Sequence, residues 1–327
     1  MNMIFNSKHK FGAITLLLAT TIALQGCDPK TATTNVATQT DYAPIAIQHH
    51  LGTTDIQQMP QTVAALDMNE VDFLDQLNIP VAGMPKDFVP HFLTKYKTAP
   101  NIQDTGAIVQ PNIEKVYATR PDLILITSLQ ANHYKELNQI APTIHFDVDY
   151  RDSQSAHIEV IKKHLTDLGK IFNKEDLAQQ KIDELNEKVE ETLSVTHNRP
   201  EKALIILHNN GSFTSFGLNS RYGFIYNDLG VKPASRELDT ALHGQPISSE
   251  FILKTNPDII YIVDRTAVME SRPTINSESL NNPLLKETKA WKNGKVIFVD
   301  AEAWYITAAS PTSLKLIIDD VLKGYLN

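Results

Sequence analysis

Two stretches of this chain, 136 residues apart, are written in the same pattern. "PNIEKVYATRPDLILITS" (111–128) aligns with "ISSEFILKTNPDIIYIVD" (247–264) when their Pro–Asp pairs are superposed, and the same offset brings Glu114 onto Glu250. Each stretch reads as a short amphipathic helix, a Pro–Asp stop that a helix does not pass, and an unbroken run of branched apolar residues. Such a run suits a strand buried on both faces. One helix–stop–strand unit in each half predicts two similar α/β lobes. The remaining strand-like runs are "PIAIQHH", "TVAAL", "VAGM" and "TIHFD" in the first half, "ALIIL" and "KVIFVD" in the second, with amphipathic segments between them. That alternation predicts parallel pairing within each lobe.

The expected boundaries are 43–153 for the first lobe, 154–198 for interlobe helices and 199–327 for the second lobe. Ile158, Ile161, Leu165, Leu168 and Phe172 keep helical spacing, and Ile182, Leu185, Val189 and Leu193 continue on one face. Asn173 reads as an N-cap between the two runs, with Asp176 in the first turn. A helix of about 22 residues spans about 33 Å, enough to join two lobes as a strut.

The N-terminus carries its own instruction. Lys8 and Lys10 precede an apolar run, "FGAITLLLATTIAL", of signal-peptide length, which ends in "LQGC" at Cys27. Small residues before a cysteine are similar to a bacterial lipobox, so residues 1–26 are expected to be removed and Cys27 lipidated. Cys27 is the only cysteine, which excludes an intramolecular disulfide or a thiolate metal cluster. Residues 27–42 are small, polar and aperiodic after the anchor, and read as a flexible tether. The expected place of work is the periplasmic side of the inner membrane, or the outer face of the cytoplasmic membrane if the source has no outer membrane. A formal charge of −8 with no basic tract argues against nucleic acid. There is no P-loop, no H-E-x-x-H and no G-x-S-x-G, and only 13 glycines, so the sequence offers no enzyme signature.

Several short motifs now fall into order: "HHLGTTDIQQMPQTVAALDMNEVDFLDQLNI", "VAGMPKDFVPHFLTKY", "LHGQPISSEFILKTNPDIIYIVDR" and "EAWY". With the lipobox, two Rossmann-like lobes and a helical strut, they resemble the periplasmic binding proteins that serve iron-siderophore, haem and cobalamin importers. The particular likeness is to the catecholate-siderophore branch. The resemblance implies a monomer with a ligand cleft between the lobes, no intrinsic cofactor, and Fe³⁺ carried as a siderophore complex to an ABC permease. It also implies roles for individual residues. His243, in "HGQPI", and Tyr305, in "WY", match a pair that fills two iron positions left open by a tetradentate chelator. Fe³⁺ is hard and prefers oxygen, and a phenol gives up its proton to a highly charged ion. Arg221 and Arg265 match two cleft arginines of the branch, while Leu129 stands where a third is found. Fewer cations favour a less anionic chelate, of the anguibactin or acinetobactin kind. Glu114 and Glu250 match the acids that dock on permease arginines.

Because ligands of open α/β sheets sit beyond the carboxyl ends of strands, Met68, Asn69, residues 84–86, Leu129, Gln130, Arg265, Trp304 and Tyr305 are the places to look. Lys86 is expected to replace some missing charge, and Trp304 to offer an aromatic face. His49 and His50, adjacent in a strand-like run, should point to opposite faces. His133, His145, His157 and His164 show no metal-binding spacing. A haem or cobalamin carrier of the same fold, or a Zn²⁺ or Mn²⁺ importer's binding protein, are the competing readings.

Overall fold

The computed structural model describes residues 42–148, 157–236 and 243–326. Signal peptide, Cys27 and most of the tether lie outside these residues.

An antiparallel hairpin, β1 (Ile45–His49) and β2 (Gly52–Ile56), opens the chain. The first lobe follows, on a five-stranded, wholly parallel sheet in the order β5-β4-β3-β8-β9. Its strands are β3 (Val63–Ala65), β4 (Gly83–Met84), β5 (Gln103–Asp104), β8 (Leu123–Thr127) and β9 (Thr143–Phe146). A small hairpin, β6 (Gly106–Ala107) and β7 (Gln110–Pro111), projects from it. Helix α1 (Met68–Gln76) follows β3 and α2 (Ile113–Ala118) precedes β8. Two helices, α3 (His157–Ile171) and α4 (Glu175–Thr196), then pack on each other as a hairpin.

The second sheet contains β10 (Lys202–Asn209), β11 (Ser212–Phe216), β12 (Lys232–Pro233), β13 (Gln245–Ile247), β14 (Ile259–Asp264) and β15 (Val296–Phe298). It is mixed rather than parallel. β12, β14 and β15 run parallel to their neighbours, but β11 folds back antiparallel on β10 and pairs antiparallel with β13. The turn Asn210–Gly211, with φ of 48° and 82°, makes this reversal possible in two residues. Helix α5 (Ser249–Thr255) precedes β14, and α6 (Pro311–Leu326) closes the chain.

The sequence repeat has a structural counterpart at the same offset. Asn112 caps α2 by accepting from the Lys115 amide, and Ser248 caps α5 by accepting from the Phe251 amide. Arg120 and Asn256 both take left-handed backbone, φ 51° and 46°, just before the Pro–Asp pairs. Each aspartate then reaches back to the strand that starts its lobe. Asp122 accepts from the amides of Gln61 and Thr62 at 2.8 Å, ahead of β3, and Asp258 from the Lys202 amide at 3.0 Å, at the start of β10. The Pro–Asp pair therefore ends a helix and fixes a parallel register with two adjacent residues. Glu114 and Glu250 are both exposed in the first turns of α2 and α5.

The connection differs in one detail from expectation. Asn173 sits at φ 51° behind α3, a conformation asparagine tolerates, and α4 begins at Glu175 over 22 residues. α3 leans on the first lobe through the buried pair His164–Glu70 at 2.9 Å, and α4 on α6 through Lys188–Asp319 and Lys315–Glu184. Burial pushes the Glu70 carboxyl up, and His164 pulls it back.

The two ends of the chain also meet. Asp72 of α1 accepts from the amide and hydroxyl of Thr312 at 2.7 and 2.6 Å, capping α6 from the opposite end of the sequence. Burial raises the Asp72 carboxyl to about 6, against the hydrogen bonds it receives. Asn69 accepts from the Ala309 amide at 3.2 Å one turn earlier. Among the described residues no helix is long and apolar enough to cross a membrane.

Candidate functional site

A cleft of about 610 Å³ opens where the loops after β3, β8, β9 and β14 meet the turn 303–307. That turn is a short π-helical segment, and it sorts its two aromatics in opposite directions. Trp304 enters the core and is fully buried, its indole N–H donating to Asp320 at 2.9 Å and its ring stacked on Tyr261 at 6.1 Å. Tyr305, the next residue, faces the cleft. The expectation that Trp304 offers a face to ligand is therefore corrected: at successive helical positions only one of the pair can look outward.

Both arginines converge on Tyr305. Arg265, just after β14, donates from Nε to the phenol oxygen at 2.7 Å and from Nη1 to Asn209 at 3.1 Å. Arg221 donates from Nη2 to the Tyr305 carbonyl at 3.1 Å and the Trp304 carbonyl at 3.4 Å. Its guanidinium carbon lies 5.6 Å from the Tyr305 ring centre and 5.1 Å from that of Tyr222; Arg265 lies 5.5 Å from the Tyr305 ring centre. The Tyr222 hydroxyl locks the same turn by donating to the Trp304 carbonyl at 2.9 Å. His157 of α3 does so from the interlobe side, with Nε2 3.1 Å from the Ala308 carbonyl. Burial lowers the His157 imidazole to about 4, so it sits neutral at pH 7. His243, exposed at the start of the segment leading to β13, lines the same cleft.

Lys86 does not. Its ammonium donates to the Tyr96 carbonyl and feels Asp104, and burial lowers its affinity for a proton. It lies outside the residues lining the cleft, so it does not restore the charge lost at Leu129. The other post-strand positions split as Trp304 and Tyr305 do. Asn69, Leu129, Arg265 and Tyr305 line the cleft, whereas Met68 and Met84 are core and Gln130 is spent on capping Thr127.

Sequence reasoning missed the first-lobe wall, Phe88, Ile108 and Val109 with Asp67 and Asp147 beside them, and missed Met269 one turn after Arg265 in the second lobe. Apolar residues in a sequence look like core, and nothing in their spacing says otherwise. Burial pushes the Asp67 carboxyl up, against hydrogen bonds from Asn69 and Thr127. Asp147 is held by the Ser128 hydroxyl and by His50 at 3.4 Å. His50 itself departs from expectation. The chain turns there, so strand alternation fails, and the rings of both His49 and His50 come to 6.1 and 6.4 Å from that of His145. Among the described residues, no group of three or more His, Cys, Asp or Glu could hold a metal ion unaided.

Two α/β lobes, a helical connection and a cleft lined by loops from both define a substrate-capturing protein of the two-lobed type. Residues 63–303 match the periplasmic binding protein family, and the chain belongs to that family. It is 62% identical over 313 residues to the ferric-anguibactin-binding protein FatB of Vibrio anguillarum, covering 96% of this chain and 97% of FatB. The structure of the siderophore-binding protein BauB, bound to a complex between two molecules of acinetobactin and ferric iron, superposes with a TM-score of 0.83 at 65% identity, covering 86% of this chain and 99% of BauB. The periplasmic catecholate-siderophore-binding protein VctP of Vibrio cholerae superposes at 0.80 with 29% identity, covering 86% of this chain and all of VctP.

Proposed function

We propose that this protein captures a mixed-donor ferric siderophore, of the anguibactin or acinetobactin kind, and delivers it to the permease of an ABC importer. The observation that carries the reading is the convergence of two guanidinium groups on Tyr305 at one wall of a cleft whose other wall holds Leu129 and, among the described residues, no lysine or arginine. Tyr305 and His243 supply at most two donors, so the chelator supplies the rest. The arginines offset the negative charge that the chelate brings. The likeness to FatB and BauB supports the ligand class. Titration by fluorescence quenching tests it: a ferric mixed chelate should bind about tenfold or more tightly than a ferric tris-catecholate, about 1.4 kcal/mol. Tighter tris-catecholate binding, or a haem Soret band formed at equal affinity, would overturn the assignment.

Delivery is proposed to depend on two further features. Cys27 anchors the protein to the membrane by its lipid, and residues 28–42 give the tether. Glu114 and Glu250, exposed at repeat-equivalent places, present one carboxylate per lobe to the permease. Cells carrying Glu114→Lys with Glu250→Lys should lose uptake of radiolabelled iron chelate while the purified variant binds it as before. Cys27→Ser should release the protein from the membrane fraction. Unchanged uptake and unchanged fractionation would remove these assignments.

A further inference from the structure

The two walls of the cleft are unlike at matched positions. Leu129 follows β8 where Arg265 follows β14, at the 136-residue offset of the repeat. Val109 and Leu129 are 62% and 51% exposed, so these side chains stand in the cleft rather than in the core. The acidic residues lining the same wall are Asp67 and Asp147. Among the described residues lining this wall, an anionic ring would meet no lysine or arginine and two acids.

Phe88 has the least ordinary backbone on that wall. Its φ is 50°, a left-handed conformation that a bulky side chain rarely adopts and that persists only where neighbours impose it. The neighbours are visible. The Asp87 carboxylate accepts from the Ile108 amide at 3.1 and 3.3 Å, tying the loop to the tip of the β6–β7 hairpin. Gln130 donates to the Ile108 carbonyl and accepts from the Thr127 amide at 3.0 Å, tying the tip to the end of β8. Three segments are thus pinned together so that Phe88, Val109 and Leu129 face one cavity.

We propose that Phe88, with Val109 and Leu129, forms a neutral-ring subsite: an aromatic platform for an uncharged aryl or heteroaryl arm of the chelate, whose anionic, metal-bearing part lies against the arginine wall. The proposal rests on the siderophore reading above and adds the orientation of the ligand within it. The Phe88 ring contributes stacking and apolar cover, and its strained backbone is kept because it aims the ring.

The test uses ferric anguibactin as probe, with fluorescence titration and thermal melting of the wild type and of Phe88→Gly, Phe88→Ala and Phe88→Tyr. Glycine takes φ 50° freely, so the glycine variant should melt close to the wild type while its Kd rises about tenfold or more. The tyrosine variant, which keeps the ring, should stay within about threefold of the wild type. The charge-transfer band should hold its position throughout, because the ring touches the chelator and not the iron. A Kd within about twofold of the wild type for both glycine and alanine, or an equal loss in the tyrosine variant, overturns the subsite and leaves siderophore capture standing. Failure of the wild type itself to bind overturns both.

Discussion

Tyr305→Phe will weaken capture of the ferric chelate about tenfold or more and change its visible spectrum. The substitution removes one oxygen and leaves the ring, so Arg221 and Arg265 keep their aromatic surface at 5.6 and 5.5 Å. What disappears is the acceptor of the 2.7 Å bond from Arg265 Nε. On the proposed reading the phenol oxygen, with Arg265 beside it, is a charge-assisted partner for the ferric chelate. A hydrogen bond of that kind between protein and ligand contributes about 1.5–3 kcal/mol, roughly ten- to a hundredfold in Kd. If the phenol oxygen also meets iron, the charge-transfer absorption shifts as well. His243→Ala, at an exposed position, should add to the loss, because it removes the second donor without disturbing the core. Melting temperature separates this from damage to the fold: Tyr305 is only partly buried, so the phenylalanine variant should melt close to the wild type. Identical Kd and identical spectrum in the double variant would remove both residues from the site.

The repeated Pro–Asp unit made the architecture legible because it does a mechanical task twice. It stops a helix and ties down the first amide of a neighbouring strand, and the residue types that can do both are few. The apolar runs after it could only be strands buried on two faces. The antiparallel part of the second sheet left no such mark. β11, "SFTSF", and β13, "QPI", are short and half polar, and their pairing is set by the turn at Asn210–Gly211 rather than by their own pattern. The candidate site was legible where short motifs resemble those of the catecholate-siderophore branch. Arg221, Arg265, Tyr305 and His243 all line one cleft. It was illegible where geometry decides between neighbours. A loop after a strand presents alternate residues to cleft and core, and sequence position alone does not say which. Asn69 went one way and Met68 the other. Lys86, one residue before the carboxylate that pins Ile108 and two before Phe88, turned to the Tyr96 carbonyl instead of the ligand. His50 escaped the strand rule because the strand had already ended at His49.

Trp304→Ala should cost more stability than any change at the cleft surface. Its side chain is among the largest fully buried ones, packed between Tyr222 at 5.3 Å and Tyr261 at 6.1 Å. Truncating a buried aromatic to alanine costs about 3–5 kcal/mol. For a chain of this size that lowers the melting temperature by roughly 10 °C. The indole N–H adds a second loss. Asp320 is 2% exposed, and burial pushes its carboxyl up, against donors that include Lys323, the Asp300 amide and Trp304. Trp304→Phe isolates that term, keeping most of the packing and losing about 1–3 kcal/mol for one charge-assisted donor, while Asp320 keeps the Asp300 amide and Lys323. Ligand affinity should fall in the alanine variant only as a consequence, since Trp304 anchors the π-helical turn whose next residue is Tyr305, and its carbonyl receives Tyr222 and Arg221. The phenylalanine variant, with the turn still anchored, should keep its Kd near that of the wild type. A residue that instead gave its ring to the ligand would show the reverse: an unchanged melt in both variants, and affinity lost in proportion to the ring removed.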